Sequence, residues 1–111
     1  MTFDLSKADW KYFRQLHSIA LERYCQRALQ QLTEIAGDQS FGYHQRYLNA
    51  YDFIKSADKN LASIFDAPRR SSAVIQILKM HHEGLITEEE FMGFSAEIRD
   101  LVHSLLGGDS A

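Results

Sequence analysis

The sequence predicts an all-α fold: two long antiparallel amphipathic helices followed by a shorter helical hairpin, a four-helix, bundle-like arrangement. Three observations predict it. Apolar residues recur at helical spacing over long stretches, where the two-residue period of a strand is absent. One proline and six glycines leave few breakers in 111 residues. The aromatic residues lie within the helical patterns rather than in short β-branched runs.

The first helix opens at Ser6-Lys7-Ala8-Asp9. A serine cap accepts a hydrogen bond from an orphan N–H of the first turn, and Asp9 suits the positive end of the helix dipole. No breaker follows before Ala36. Gly37 is expected to end the helix in the left-handed conformation that glycine adopts at little cost. Leu21, Cys25, Ala28, Leu32 and Ile35 form a narrow stripe. Trp10, Phe13, Ala20 and Tyr24 continue it, but Tyr12, Leu16 and Ile19 widen it on one side. A wide stripe implies more than one packing partner. The first half of this helix should therefore be enclosed, and the second half should touch fewer elements.

After the connection Asp38-Gln39-Ser40-Phe41-Gly42, the second helix is expected from Tyr43 to Phe65. Tyr47, Ala50, Ile54, Ala57, Leu61 and Ile64 make a heptad seam suited to antiparallel packing on the first helix. Tyr51 and Phe65 flank it on one side and Phe53 on the other. Pro68 is expected to sit in the first turn of the third helix, where its missing N–H costs nothing. Val74, Ile77, Leu78 and His81 share a face of that helix, and Gly84 stops it. Thr87-Glu88-Glu89-Glu90 has the pattern of a capping box. The fourth helix then places Phe91, Phe94, Ile98, Leu101 and Leu105 on one face, with a break at Gly93 and a new cap at Ser95 as the alternative. Gly107-Gly108 ends it, so residues 1–108 read as a single helical domain and residues 109–111 as a frayed tail.

The run Gly84-Leu85-Ile86-Thr87-Glu88-Glu89-Glu90-Phe91 resembles the short C-terminal helical hairpin called SHOCT, over roughly a quarter of the chain. Any glycine-stopped helix followed by a capped one has the same look, so no family is assigned from it.

Lengths add an asymmetry. A helix of about 30 residues spans ~45 Å and one of about 23 spans ~35 Å. A compact domain of this size has a radius of gyration of ~13 Å. The third helix, about 15 residues from Pro68, covers only ~23 Å and lies beside the first half of helix one. The third and fourth helices should roof that end. The far end, with Leu29, Leu32, Ile35, Phe41, Tyr43 and Tyr47, should project with less cover and serve as a dimer or partner surface.

Composition narrows the classes. Apolar residues make up 45% and charged residues 24%, which excludes a disordered chain. A single cysteine, Cys25, cannot form an internal disulfide, and it reads as a small buried hydrophobe in a reducing compartment. The first residues lack a basic and then apolar leader, and no apolar run approaches the ~20 residues of a membrane span. A cytoplasmic location is expected. Net charge is −3, with seven acids and one base in residues 83–111 against eight acids and eleven bases before them. That is either a solvated acidic end or charge complementarity within or between chains.

Candidate chemistry is sparse. Asp100-x-x-His103 is the nearest approach to a carboxylate–histidine metal pair, but its spacing points it away from the apolar face. His81-His82-Glu83 lacks the spacing of a zinc motif. His17 falls on the apolar side of the first helix, as a hydrogen-bonded core histidine would. There is no glycine-rich phosphate loop and no nucleophile beside a base. Arg69-Arg70-Ser71-Ser72 combines guanidiniums, hydroxyls and a helix start, and is the one local candidate for an anion or partner contact. It also resembles an arginine-directed phosphorylation site. A helix-turn-helix reader is not expected, since the second helix would open on three glutamates that repel phosphate.

The sequence therefore reads as a small helical protein–protein interaction or regulatory protein. It is expected to have no catalytic site, cofactor or metal, and to pair with itself as a homodimer or with a protein partner. Nucleic acid and membrane are not expected partners. The alternative is a small-ligand-binding protein or enzyme. Its pocket would lie between the first helix, the second and the hairpin, lined by His17, Tyr24, Tyr51 and Arg70.

Overall fold

A computed structural model describes residues 4–107. The expected frayed tail at 109–111 lies outside the described residues. Five helices follow in order: α1 (Lys7–Ala36), α2 (Tyr43–Phe65), α3 (Ala73–His82), α4 (Glu88–Phe91) and α5 (Ala96–Gly107). No strand occurs among the described residues. The all-α reading holds, with the C-terminal arm of the hairpin split in two.

α1 and α2 pack antiparallel. Their boundaries match the sequence reading, and Ser6 caps α1 by accepting the Asp9 N–H at 3.1 Å. The end of α1 differs. Gly37 has φ −92°, outside the left-handed region, and its N–H returns to the Thr33 carbonyl at 3.0 Å. A side chain replaces the expected glycine cap: Arg46 of α2 donates its Nε–H to the Ala36 carbonyl at 2.6 Å. The left-handed glycine is Gly84 instead, with φ 68°, at the end of α3.

α3 starts at Ala73, five residues after Pro68, which corrects the expected proline start. Residues 66–72 instead clasp the backbone of Leu5. Ala67 takes a left-handed φ of 48°, and Arg70 then faces Leu5. The Leu5 N–H donates to the Arg70 carbonyl at 3.3 Å, while the Arg70 guanidinium donates to the Leu5 carbonyl at 2.6 and 3.0 Å. A helix begun at Pro68 would lose these bonds. α3 then runs parallel to α1, ending where Arg27 donates to the carbonyls of Glu83 and Gly84.

Thr87 and Glu90 form the reciprocal capping box of α4. α4 stops after one turn. Gly93 follows because the Tyr12 ring occupies the space a Cβ would need. Ser95 restarts the chain as α5, its hydroxyl accepting the Ile98 N–H at 3.4 Å. The break shifts the helical phase. Val102 is fully buried, whereas Leu105, expected on the apolar face, is 54% exposed.

The core lies at one end. Leu5, Phe13, Leu16 and Ala20 of the N-terminal region meet Ile64 and Phe65 from the end of α2. Ala73, Val74, Ile77 and Met80 of α3, with Leu85, Phe91, Phe94, Ile98 and Val102, close the roof. Fully burying a side chain of this size contributes about 1.5–3 kcal/mol. Residues 21–63 contain no buried side chain. The Cα radius of gyration is 17.0 Å and the longest extent 52 Å, so the α1–α2 hairpin projects from a compact body.

Candidate functional site

The projecting hairpin holds itself together by a half-buried seam. Leu32 and Ile35 of α1 and Ala50, Ala57 and Leu61 of α2 are each only partly covered. Tyr24 spans the seam, donating its hydroxyl to the Ala57 carbonyl at 2.8 Å. Two of the residues expected on the surface, Leu32 and Ile35, are thus taken up in this seam. The other four are open: Leu29 is 60% exposed, Phe41 46%, Tyr43 87% and Tyr47 70%.

The surface extends beyond the tip. Ile54 and Tyr51, placed by the sequence on and beside the seam respectively, are 42% and 57% exposed. Spacings of 4, 4, 3, 4 and 3 put Tyr43, Tyr47, Tyr51, Ile54, Asp58 and Leu61 on one flank of α2. Cys25, Leu29, Ile54, Asp58 and Leu61 line one shallow groove of about 270 Å³ between the helices. Cys25 is half-buried at its edge rather than enclosed in a core. The heptad pattern could not separate seam from flank, because both satisfy a helical period and the third helix covers the other face.

That other face is occupied by α3 as far as Glu83. Beyond it lies a cleft of about 370 Å³ lined by Tyr24, Arg27, Gln31, Phe53, Asn60 and Glu83. The four residues expected to line a ligand pocket do not meet there. His17 bonds the Phe65 carbonyl at 2.9 Å and sits edge-on to Phe13 and Phe65. Tyr51 lies on the exposed flank, and Arg70 is committed to Leu5. Tyr24 alone reaches the cleft.

The Arg69-Arg70-Ser71-Ser72 run is likewise divided. The Ser72 hydroxyl turns back to Arg69, accepting its N–H at 3.2 Å, and does not cap α3. Arg69 and Ser71 are exposed. His81 pairs with Glu88 at 2.9 Å and packs tilted against the Phe91 ring, centroids 4.4 Å apart. His103 is exposed, yet its ring reaches Phe91, with centroids 5.4 Å apart, so it borders the core rather than pointing wholly away. Among the described residues no group of three or more His, Cys, Asp or Glu side chains could hold a metal ion. Nor is any helix there long and apolar enough to cross a membrane.

The charged clusters of the body are structural. Arg23 donates both guanidinium arms to Glu90, at 2.7 and 2.9 Å, and a third bond to the Leu85 carbonyl. The Arg23 hydrogen bonds, with help from the Thr87 N–H, hold the Glu90 carboxyl down at about 2. Tyr12 donates to the Glu90 carbonyl at 2.6 Å; burial and then the nearby Glu90 charge push its phenol above the ordinary range. Asp9, buried, accepts both the N–H and the hydroxyl of Ser95. In the sequence Asp9 reads only as a helix-dipole residue, since nothing local shows a partner 86 positions away.

No family model matches the chain, and no curated protein or solved structure shows significant similarity to it.

Proposed function

We propose that this chain is a protein-interaction module whose working surface is the apolar flank of the α1–α2 hairpin. One observation carries the reading. Tyr43, Tyr47, Tyr51, Ile54, Leu29 and Phe41 lie exposed on an element whose own core is only half-covered. Taking ~200 Å² for a fully exposed large residue, they present roughly 700 Å² of surface, tyrosine hydroxyls and backbone included. Large exposed apolar surface rimmed by polar residues marks an interaction site. The body supports the same reading: its charged and aromatic groups hold α4 and α5 on α1 and leave the hairpin free to meet a partner. The lone Cys25 suits a reducing, cytoplasmic setting.

The test is a photo-crosslinking amino acid placed at Ile54 in the native host, with the same group at Leu105 on α5 as control. A defined protein adduct at Ile54 and none at Leu105 is the expected result. Absence of any adduct at Ile54, with the protein abundant and folded, would remove the reading.

A further inference from the structure

We infer that the partner on the hairpin flank is a second copy of this chain, laid antiparallel so that α2 packs on α2 about Ile54 and α1 on α1 about Leu29. This rests on the interaction-module reading above and names its occupant.

Area is the first argument. A stable interface buries about 800 Å² per partner. Leu29, Phe41, Tyr43, Tyr47, Tyr51 and Ile54 together expose nearly that amount, and the half-buried Cys25 and Leu61 add to it. The flank is also long, running along α2 from Tyr43 to Leu61 with Leu29 and Cys25 of α1 beside it, which suits another helical pair rather than a compact pocket-filling segment.

Self-complementarity is the second, and it selects the direction. An antiparallel pairing centred on Ile54 places residues equally far before and after it against each other. Tyr47, seven positions before, meets Leu61, seven after. Tyr51, three positions before, comes within one residue of the level of Asp58, four after, so its phenol can donate to a carboxylate that otherwise interrupts the apolar groove. A parallel pairing would instead stack Asp58 on Asp58, and like charges held together cost affinity. Leu29 shares the groove with Ile54, so the same centre brings the two α1 helices together at Leu29. The product is a four-helix bundle made of two hairpins, with a body at each end.

Light scattering against concentration tests the stoichiometry, and twice the chain mass is expected at micromolar concentration. Ile54→Arg should give a monomer with unchanged helical circular dichroism, while Leu105→Arg should leave the dimer intact. Disulfide cross-links test the direction. In a Cys25→Ser background, Ile54→Cys should cross-link to itself under mild oxidation. Tyr47→Cys should not, but a mixture of Tyr47→Cys with Leu61→Cys should. A monomer at all concentrations overturns the inference; if Ile54 still forms an adduct with another protein in the host, the interaction-module reading survives without it. Self-linking of Tyr47→Cys, or no cross-link between Tyr47→Cys and Leu61→Cys, overturns the antiparallel arrangement.

Discussion

Glu90 shows how much one side chain of the body is asked to do. It completes the capping box of α4, binds both arms of Arg23 and ties the Thr87 N–H, so it joins the C-terminal roof to α1. Its folded carboxyl titrates at about 2, below its ordinary value. A depressed carboxylate contributes stability that is present above the unfolded pKa and lost as pH falls through the folded one. Urea midpoints should therefore fall between about pH 5 and pH 2, and Glu90→Gln should flatten that slope. The loss is about 1 kcal/mol, since solvent screens a partly exposed pair. Gly93 is the second single-residue test. A Cβ there would overlap the Tyr12 phenol, whose bond to the Glu90 carbonyl anchors the turn. Gly93→Ala should cost about 1–3 kcal/mol in urea unfolding, the usual range for overpacking. Thr87 as cap and Glu90 as its reciprocal partner were legible in the sequence from four consecutive residues. Tyr12 and Asp9 were not, because their partners lie far along the chain and a single sequence carries no sign of such pairs.

At the scale of elements, α1 is one helix with two environments. Its first half packs Phe13, Leu16 and Ala20 into the core, and its second half has no buried residue. The wide and narrow apolar stripes forecast this difference, since the width of a stripe reflects how many neighbours a helix has. The start of α3 was not legible. Pro68 is a good first-turn residue, but local preference yields to the backbone and guanidinium bonds between Arg70 and Leu5. Splitting of the last helix was legible only as an alternative. Its physical cause is the Tyr12 ring against Gly93, a contact between distant parts of the chain. The exposed hairpin should also be the least protected element. In the Ile54→Arg chain, amides of residues 26–56 should exchange with solvent well before those of α3 and the first half of α1, because local opening follows local burial. Equal protection across α1 would contradict the division.

The whole molecule is a compact head with a projecting arm, and its radius of gyration of 17.0 Å exceeds the ~13 Å of a globular chain of this length. Arm and head differ in what stabilises them. The head has a closed apolar core; the arm has a seam and an uncovered flank. Small-angle scattering on Ile54→Arg should return an elongated particle whose longest dimension exceeds the 52 Å extent by a hydration shell. The unsubstituted chain should give a longer particle of doubled mass if two arms overlap. A globular profile for the single chain would mean that the hairpin folds back on the body.

Helix content, the boundaries of α1 and α2, the cap at Ser6 and the enclosed end of the molecule were determined by the sequence itself. These are local or periodic properties, written by capping residues and apolar spacing within one stretch of chain. Only the tertiary structure decided which apolar residues serve the seam and which stay on the flank. It also turned Arg70 toward Leu5 and ended α4 at Gly93. Each of these depends on which face of a helix a distant element covers, and helical periodicity is blind to what lies opposite.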